Sequence, residues 1–348
     1  MAKLQDVFNK LKEVRIEKLE KDIVALGLVR DLAVEGNVVS FSLRVPLGED
    51  ALELEKRTIE KVKELDWVEK VDIKVEKHRV ETPKFGKEAE KPKGPQKIEG
   101  IKHIVVVASG KGGVGKSTVA ANLALALSLK GKKVGLFDGD IYGPSIPKMF
   151  GIEGLVPRVK DNKMIPVERY GLKLLSIGLM LDEDTPVIWR GPLVHKAYQQ
   201  FFFDTIWGEL DYLVVDFPPG TGDAQISALQ LVKIDGAVIV TTPQDVALID
   251  VKKATNMFVK MQVTVIGVVE NMSYFKCPKC GEITRIFGQG GAEKLGKEMG
   301  LPLLGQIPID PDIVQQGDVG MPAVAMGMDH PVAKEFIKVA EKVLKTFE

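Results

Sequence analysis

Cysteine is nearly absent from this chain: 348 residues carry two, both within Cys277-Pro278-Lys279-Cys280-Gly281. That excludes a disulfide framework and fits a reducing cytoplasm. Net charge is absent too, since 48 Lys and Arg balance 48 Asp and Glu, so no global field points to nucleic acid or a membrane surface. The longest apolar runs are strand-length and interrupted, so no transmembrane helix is expected. Asp6, with Lys3 and Gln5, comes too early for a signal peptide. The four histidines, His78, His103, His195 and His330, show no ligand spacing, and a structural role is expected for each.

An apolar fraction of 45% with 28% charged residues describes a globular protein, and 348 residues suggest two domains. Residues 81–100 are dense in Lys, Glu, Pro and Gly without apolar periodicity, which is linker composition. Before it, residues 1–80 read as a small α+β interaction domain. Leu4, Val7, Phe8, Leu11 and Val14 have helical spacing, and a second short helical pattern runs through Leu19 and Ile23. A hairpin is expected over Leu28 to Val34 and Val38 to Val45, then a helix from Asp50 to Leu65 and a strand at Val71 to Val75. The predicted order is α-α-β-β-α-β. After the linker, residues 101–348 alternate strand and helix, which predicts an α/β domain with a mostly parallel sheet flanked by helices.

The strongest pattern is Gly110-Lys111-Gly112-Gly113-Val114-Gly115-Lys116-Ser117, followed by Thr118. It fits G-x-x-x-x-G-K-[ST], whose backbone N–H groups wrap a polyphosphate. Lys116 is expected on the β/γ-phosphates and Ser117 on Mg²⁺. The β-branched run Ile104 to Ala108 precedes it, and an Ala- and Leu-rich helix to Leu129 follows. Strand, loop and helix place phosphate at a helix N-terminus, so ATP is the expected ligand. Lys111 is a second lysine that an ordinary loop of this kind does not need. Three more candidates end strands at the same edge: Asp216 and Asp138 for Mg²⁺, and Asp140 to orient the attacking water. Gly143-Pro144 and Pro218-Pro219-Gly220-Thr221-Gly222 beside them have switch-loop chemistry.

A Cys-x-x-Cys can be a metal knuckle, a redox pair or inert. Pro278 and Gly281 favour the tight knuckle, with iron–sulfur or zinc as occupant. A four-thiolate site requires two chains, because no third cysteine exists. The segment Pro331 to Phe347 reads as an amphipathic helix packed on the core.

Several segments in order carry a resemblance: Ser109 to Thr118, Asp138-Gly139-Asp140-Ile141-Tyr142-Gly143-Pro144-Ser145, Trp189-Arg190-Gly191-Pro192, Asp216-Phe217-Pro218-Pro219-Gly220-Thr221-Gly222-Asp223, and Asn271-Met272-Ser273-Tyr274-Phe275 running into the cysteines. By these, residues 102 to about 345 closely resemble the Mrp/ApbC family of P-loop ATPases with a deviant phosphate loop, relatives of MinD, ParA and the nitrogenase iron protein. Residues 1 to about 78 resemble the small domain of iron–sulfur assembly factors, though without its reactive cysteine. The resemblance implies an ATP-hydrolysing iron–sulfur cluster carrier or scaffold that is a homodimer and delivers clusters to apo iron–sulfur proteins. It implies that Lys111 crosses to the partner's nucleotide, making it catalytic along with Lys116 and Asp140. Asn271 and the segment Pro308 to Asp310 would line the adenine. Cys277 and Cys280 would share a bridging 4Fe–4S cluster with their symmetry mates, zinc being the runner-up. Two other roles use the same parts: a MinD/ParA-type positioning ATPase, and a nucleotide-gated electron-transfer component.

Overall fold

The computed structural model describes residues 2–16, 21–24, 28–45, 50–77, 94–180 and 191–348. They fall into two compact units, Met1–Ala89 and Glu90–Glu348.

In the first unit α1 (Ala2–Leu11) is followed by the short antiparallel pair β1 (Arg15–Ile16) and β2 (Lys21–Asp22). The expected second helix is therefore not there among the described residues; Leu19 lies outside them. Ile23 still reaches the core, but from a turn whose N–H is bound to Val14 O at 3.0 Å. One buried residue per turn satisfies either geometry, so periodicity over so short a stretch misleads. Strands β3 (Val29–Glu35) and β4 (Val38–Val45) form the expected hairpin, with Gly36 at φ +64° in its turn. Asp50 caps α2 (Ala51–Lys63) by accepting from Leu52 N at 2.8 Å. β5 (Lys70–Lys77) then pairs parallel to β4, which makes α2 a crossover helix. Val7, Leu11, Val39, Phe41, Leu43, Leu54 and Val62 fill this unit's own core.

The second unit is built on β6 (Ile101–Ser109), α3 (Lys116–Leu129), β7 (Val134–Asp138), α4 (Ile146–Phe150), the hairpin β8 (Arg158–Lys160) and β9 (Lys163–Ile165), β10 (Val167–Arg169) and β11 (Leu172–Ser176). It continues with α5 (Gly191–Phe203), β12 (Leu210–Asp216), α6 (Asp223–Leu231), β13 (Gly236–Thr241), α7 (Asp245–Lys260) and β14 (Val265–Glu270). The small pair β15 (Phe275–Lys276) and β16 (Ile283–Thr284) precedes α8 (Gly291–Met299), β17 (Leu303–Gln306), α9 (Pro311–Asp318) and α10 (Pro331–Phe347). Eight strands form one sheet in the order β10-β11-β7-β12-β6-β13-β14-β17. All pairings are parallel except β10 with β11.

Alternate strand residues feed two layers, as a period of two requires. Val105, Val107, Leu136, Val214 and Val240 pack against α3 and α10. Ile104, Val106, Phe137, Leu213 and Val215 pack against the layer of α5, α6, α7 and α8. Residues 94–100, read from composition as the end of a linker, belong to this body. Gln96 bridges Val232, its N–H is bound to Leu231 O at 2.9 Å, and Ile98 is buried. Residues 78–93 lie outside those described. No described helix is long and apolar enough to cross a membrane.

The carboxyl ends of the parallel strands β6, β7, β12, β13 and β14 lie along one edge of the sheet and carry Ser109, Asp138, Asp216, Thr241 and Glu270. That edge is where ligands bind on open α/β sheets.

Candidate functional site at the strand carboxyl ends

The phosphate loop runs from Gly110 to Gly115 between β6 and α3. Gly113 and Gly115 have φ of +77° and +78°, which side chains other than glycine's rarely adopt. Two glycines are also needed for closeness. A Cβ at Gly110 would lie 2.3 Å from the Asp250 carbonyl carbon, and one at Gly115 would lie 2.1 Å from Asn271 Nδ2. Asn271 is buried and donates from Nδ2 to Val114 O at 2.9 Å, so it supports the loop from behind. The strand end that carries Asn271 and the segment Pro308–Asp310 lie side by side, with Ser273 N bound to Ile307 O at 2.9 Å and Ile309 N to Tyr274 O at 2.7 Å. Asp310 itself caps α9, accepting from Asp312 N at 2.9 Å.

Lys116 opens α3 and is only 6% exposed. Its Nζ lies 2.5 Å from Asp216 Oδ1, 3.4 Å from Asp140 Oδ2 and 3.2 Å from Ser117 Oγ. The structure thus brings together four of the residues expected at the phosphates and metal. Thr118 follows in the first turn, its carbonyl accepting from Asn122 Nδ2 at 2.8 Å. Lys111 is half-buried and donates to Gln244 Oε1 of its own chain at 3.4 Å.

The three acids differ in their surroundings. Asp138 is fully buried and its oxygens accept from Asp140 N at 3.2 Å, Ile146 N at 3.2 Å and Ser176 Oγ at 2.9 Å. Burial first, and the charge of Asp216 second, push its carboxyl up to about 7. Asp216 is also raised by burial, against the opposing pull of Lys116. Its Oδ2 is buried without a hydrogen-bond partner among the described residues. Asp140 is the least enclosed, and its Oδ1 accepts from Tyr142 N at 3.4 Å.

Two side chains that sequence reasoning passed over hold these loops. Tyr198 donates to Gly139 O at 2.6 Å, and burial keeps its hydroxyl well above the usual range, so it stays a donor. Gln225 donates from Nε2 to Pro218 O at 2.7 Å and to Pro219 O at 2.9 Å. A signal for Gln225 existed: consecutive prolines have no N–H, and buried carbonyls beside them need a donor.

The cysteines sit in the turn between β15 and β16. Cys277 N is bound to Glu282 O and Gly281 N to Cys277 O, both at 2.9 Å, and Gly281 has φ +75°. Cys277 is partly exposed and Cys280 exposed, both as free thiols. The backbone N–H groups of Cys280 and Lys279, then the Cys280 side chain, hold the Cys277 thiol below its ordinary value of 9.0. Among the described residues no group of three or more His, Cys, Asp or Glu is placed to hold a metal. In a Cys280→Ala chain the two backbone donors remain, so alkylation of Cys277 by iodoacetamide should keep a pH midpoint below 9. A midpoint at or above 9 rules out the knuckle geometry. Of Trp189-Arg190-Gly191-Pro192, the first two residues lie outside those described and the last two open α5.

A glycine-bent loop between a buried parallel strand and a buried helix, with its lysine against a strand-end aspartate, defines a P-loop nucleotide-binding protein of the ParA type. Residues 100–344 match the family described as NUBPL iron-transfer P-loop NTPase, and residues 4–75 match the iron–sulfur cluster assembly protein family. The chain belongs to the NUBPL iron-transfer P-loop NTPase family and carries an N-terminal domain of the assembly type. It is 45% identical over 360 residues to an iron–sulfur cluster carrier protein of Aquifex aeolicus, covering 99% of this chain and 98% of that one. A carrier protein of Methanocaldococcus jannaschii is 50% identical over 251 residues, 71% of this chain and 86% of that one. Among solved structures, a nucleotide-binding protein of Archaeoglobus fulgidus in complex with ADP matches at TM-score 0.60 and 42% identity, covering 69% of this chain and 93% of that one. The cell division ATPase MinD of Pyrococcus furiosus matches at TM-score 0.52 and 26% identity, covering 70% of this chain and 99% of that one.

Proposed function

We propose that this chain is an ATP-hydrolysing carrier of iron–sulfur clusters, working as a homodimer that receives a 4Fe–4S cluster and hands it to apoproteins. The observation that carries the reading is the exposed two-thiol turn, six residues along the chain from the asparagine that touches the phosphate loop. Two thiolates cannot complete a cluster's ligand set, and among the described residues no further His, Cys, Asp or Glu joins them in a group placed to hold a metal. A second copy supplies the missing pair at a symmetry axis. Carrier proteins that match nearly end to end support the cargo, and the ADP complex of the Archaeoglobus relative supports the nucleotide. Work with reduced thiolates requires a reducing compartment such as the cytoplasm.

Mg²⁺ fits the acids: the partnerless Asp216 Oδ2 is a buried acceptor awaiting a donor such as a metal-bound water, and the Ser117 hydroxyl lies beside Lys116. Ser117 and Asp216 would hold the ion, with Asp138 supporting the loop around it, and the ion would neutralise phosphate charge. Lys116 leaves Asp216 and Asp140 to meet the β/γ-phosphates as nucleotide enters. Asp140, the most accessible acid, orients the attacking water. Lys111 exchanges Gln244 for the partner's nucleotide, which ties the dimer's closure to ATP. Asn271 and Pro308 to Asp310 flank the base.

The test is anaerobic reconstitution with iron and sulfide, followed by transfer to an apo acceptor. We expect about four irons per two chains, a dimer by sedimentation, and faster transfer with MgATP. Retention of no iron and no sulfide by the wild-type chain would sink the carrier reading.

A further inference from the structure

The two acid-bearing loops are fixed from behind by polar atoms of adjacent helices. Gly139, between Asp138 and Asp140, has its peptide held at both ends: its N–H donates to Asp216 O at 2.9 Å, and its carbonyl accepts from the Tyr198 hydroxyl at 2.6 Å. The same carbonyl accepts from Ile141 N at 3.0 Å, so Tyr198 is not needed merely to satisfy it. Space is tight as well, since a Cβ on Gly139 would lie 3.0 Å from Asp216 O and 3.4 Å from the Tyr198 ring. The loop after Asp216 is held by one carboxamide: both hydrogens of Gln225 Nε2 go to the carbonyls of Pro218 and Pro219. Tyr198 on α5 and Gln225 on α6 are almost fully buried, and the two helices pack together.

Packing alone does not ask for these polar atoms. A buried hydroxyl or carboxamide costs free energy unless it is paired, and Phe or Leu would fill similar space. Both polar groups are spent on backbone that carries or adjoins an acid.

We propose that Tyr198 and Gln225 are positioning residues for phosphoryl transfer, locking the loops of Asp140 and Asp216 into one mutual arrangement around the nucleotide. The proposal rests on the hydrolytic reading above. Preorganised loops matter in the transition state more than in the ground state, so nucleotide affinity should survive their loosening while turnover does not.

The experiment compares wild type with Tyr198→Phe and Gln225→Leu, measuring kcat and KM for MgATP. It also measures affinity for MgADP alone and for MgADP with fluoroaluminate, a mimic of the transferring phosphoryl group. We expect kcat to fall about fivefold in Tyr198→Phe and about tenfold in Gln225→Leu, with fluoroaluminate affinity falling by the same factors. KM and MgADP affinity should stay within about twofold. A smaller folded fraction would lower kcat but not these affinities, so the fluoroaluminate loss separates positioning from mere structure. Tyr198→Phe conserves volume and decides the matter alone should Gln225→Leu fail to fold. Unchanged kcat in both variants, or MgADP affinity lost in step with fluoroaluminate affinity, overturns the proposal. A wild-type chain that hydrolyses no ATP overturns the hydrolytic reading, and this inference with it.

Discussion

Lys116→Ala should lose ATP hydrolysis by at least about a hundredfold, while iron loading at the thiols stays near wild type. Removing one preorganised donor aimed at developing charge costs on that order, and Lys116 is the ammonium that Asp216 and Asp140 hold at the end of the phosphate loop. Its loss has a second consequence in the nucleotide-free chain. Asp216 is fully buried, and Lys116 is its ion-pair partner among the described residues. Breaking such a pair costs about 3 kcal/mol at neutral pH. The sign with pH follows from the raised carboxyl of Asp216. A group whose folded value exceeds its ordinary 3.8 stabilises fully below 3.8 and loses that contribution as pH rises through the folded value. Without Lys116 the folded value rises further, so the deficit against wild type should be largest at neutral pH and shrink on acidification. Chemical denaturation of both proteins across that range reads it. Hydrolysis within tenfold of wild type, or a deficit that grows on acidification, would contradict this account of the site.

An element is legible in the sequence in proportion to the length over which its pattern repeats. Strands such as Ile104 to Ala108 and Gly236 to Thr241 are legible because a continuous β-branched run buried on both faces has few alternatives. The phosphate loop is legible because its glycines answer to φ and to close contacts that the structure shows at Gly113 and Gly115. Where elements shrink to two or three residues, no period exists to be read. That is why the helix expected through Leu19 and Ile23 meets the pair β1 and β2 instead, and why the hairpin of β8 and β9 has no signature in the sequence. Residues 94–100 have linker composition, yet Gln96 and Ile98 dock on the sheet domain, because one bridge and one buried side chain suffice to order a short segment. Tyr198 carries no motif of its own: its importance lies in the carbonyl its hydroxyl meets 59 residues away, and a linear pattern does not record that. Gln225 lies only seven residues from Pro218, within reach of the signal that the consecutive prolines offer.

The double variant Cys277→Ala/Cys280→Ala should retain no iron or sulfide above background after anaerobic reconstitution, and should leave MgADP affinity within about twofold of wild type. The separation is physical. The thiols lie in the turn joining β15 to β16, whereas the phosphate loop is bound by Lys116, Asp216 and Asn271. The turn's own frame should also survive, because the bonds from Cys277 N to Glu282 O and Gly281 N to Cys277 O are backbone bonds. Stoichiometry then distinguishes the occupants. A bridging cluster gives about four irons and four sulfides per two wild-type chains, whereas zinc on the same four thiolates gives one metal and no sulfide. Either occupant needs both copies, so mixing wild type with the double variant should produce heterodimers that hold neither. If iron and sulfide stay fully bound in the double variant, the cluster sits elsewhere and the two-thiol turn loses its proposed role. If one chain alone retains a full cluster, the reason for placing the thiols at a symmetry axis disappears.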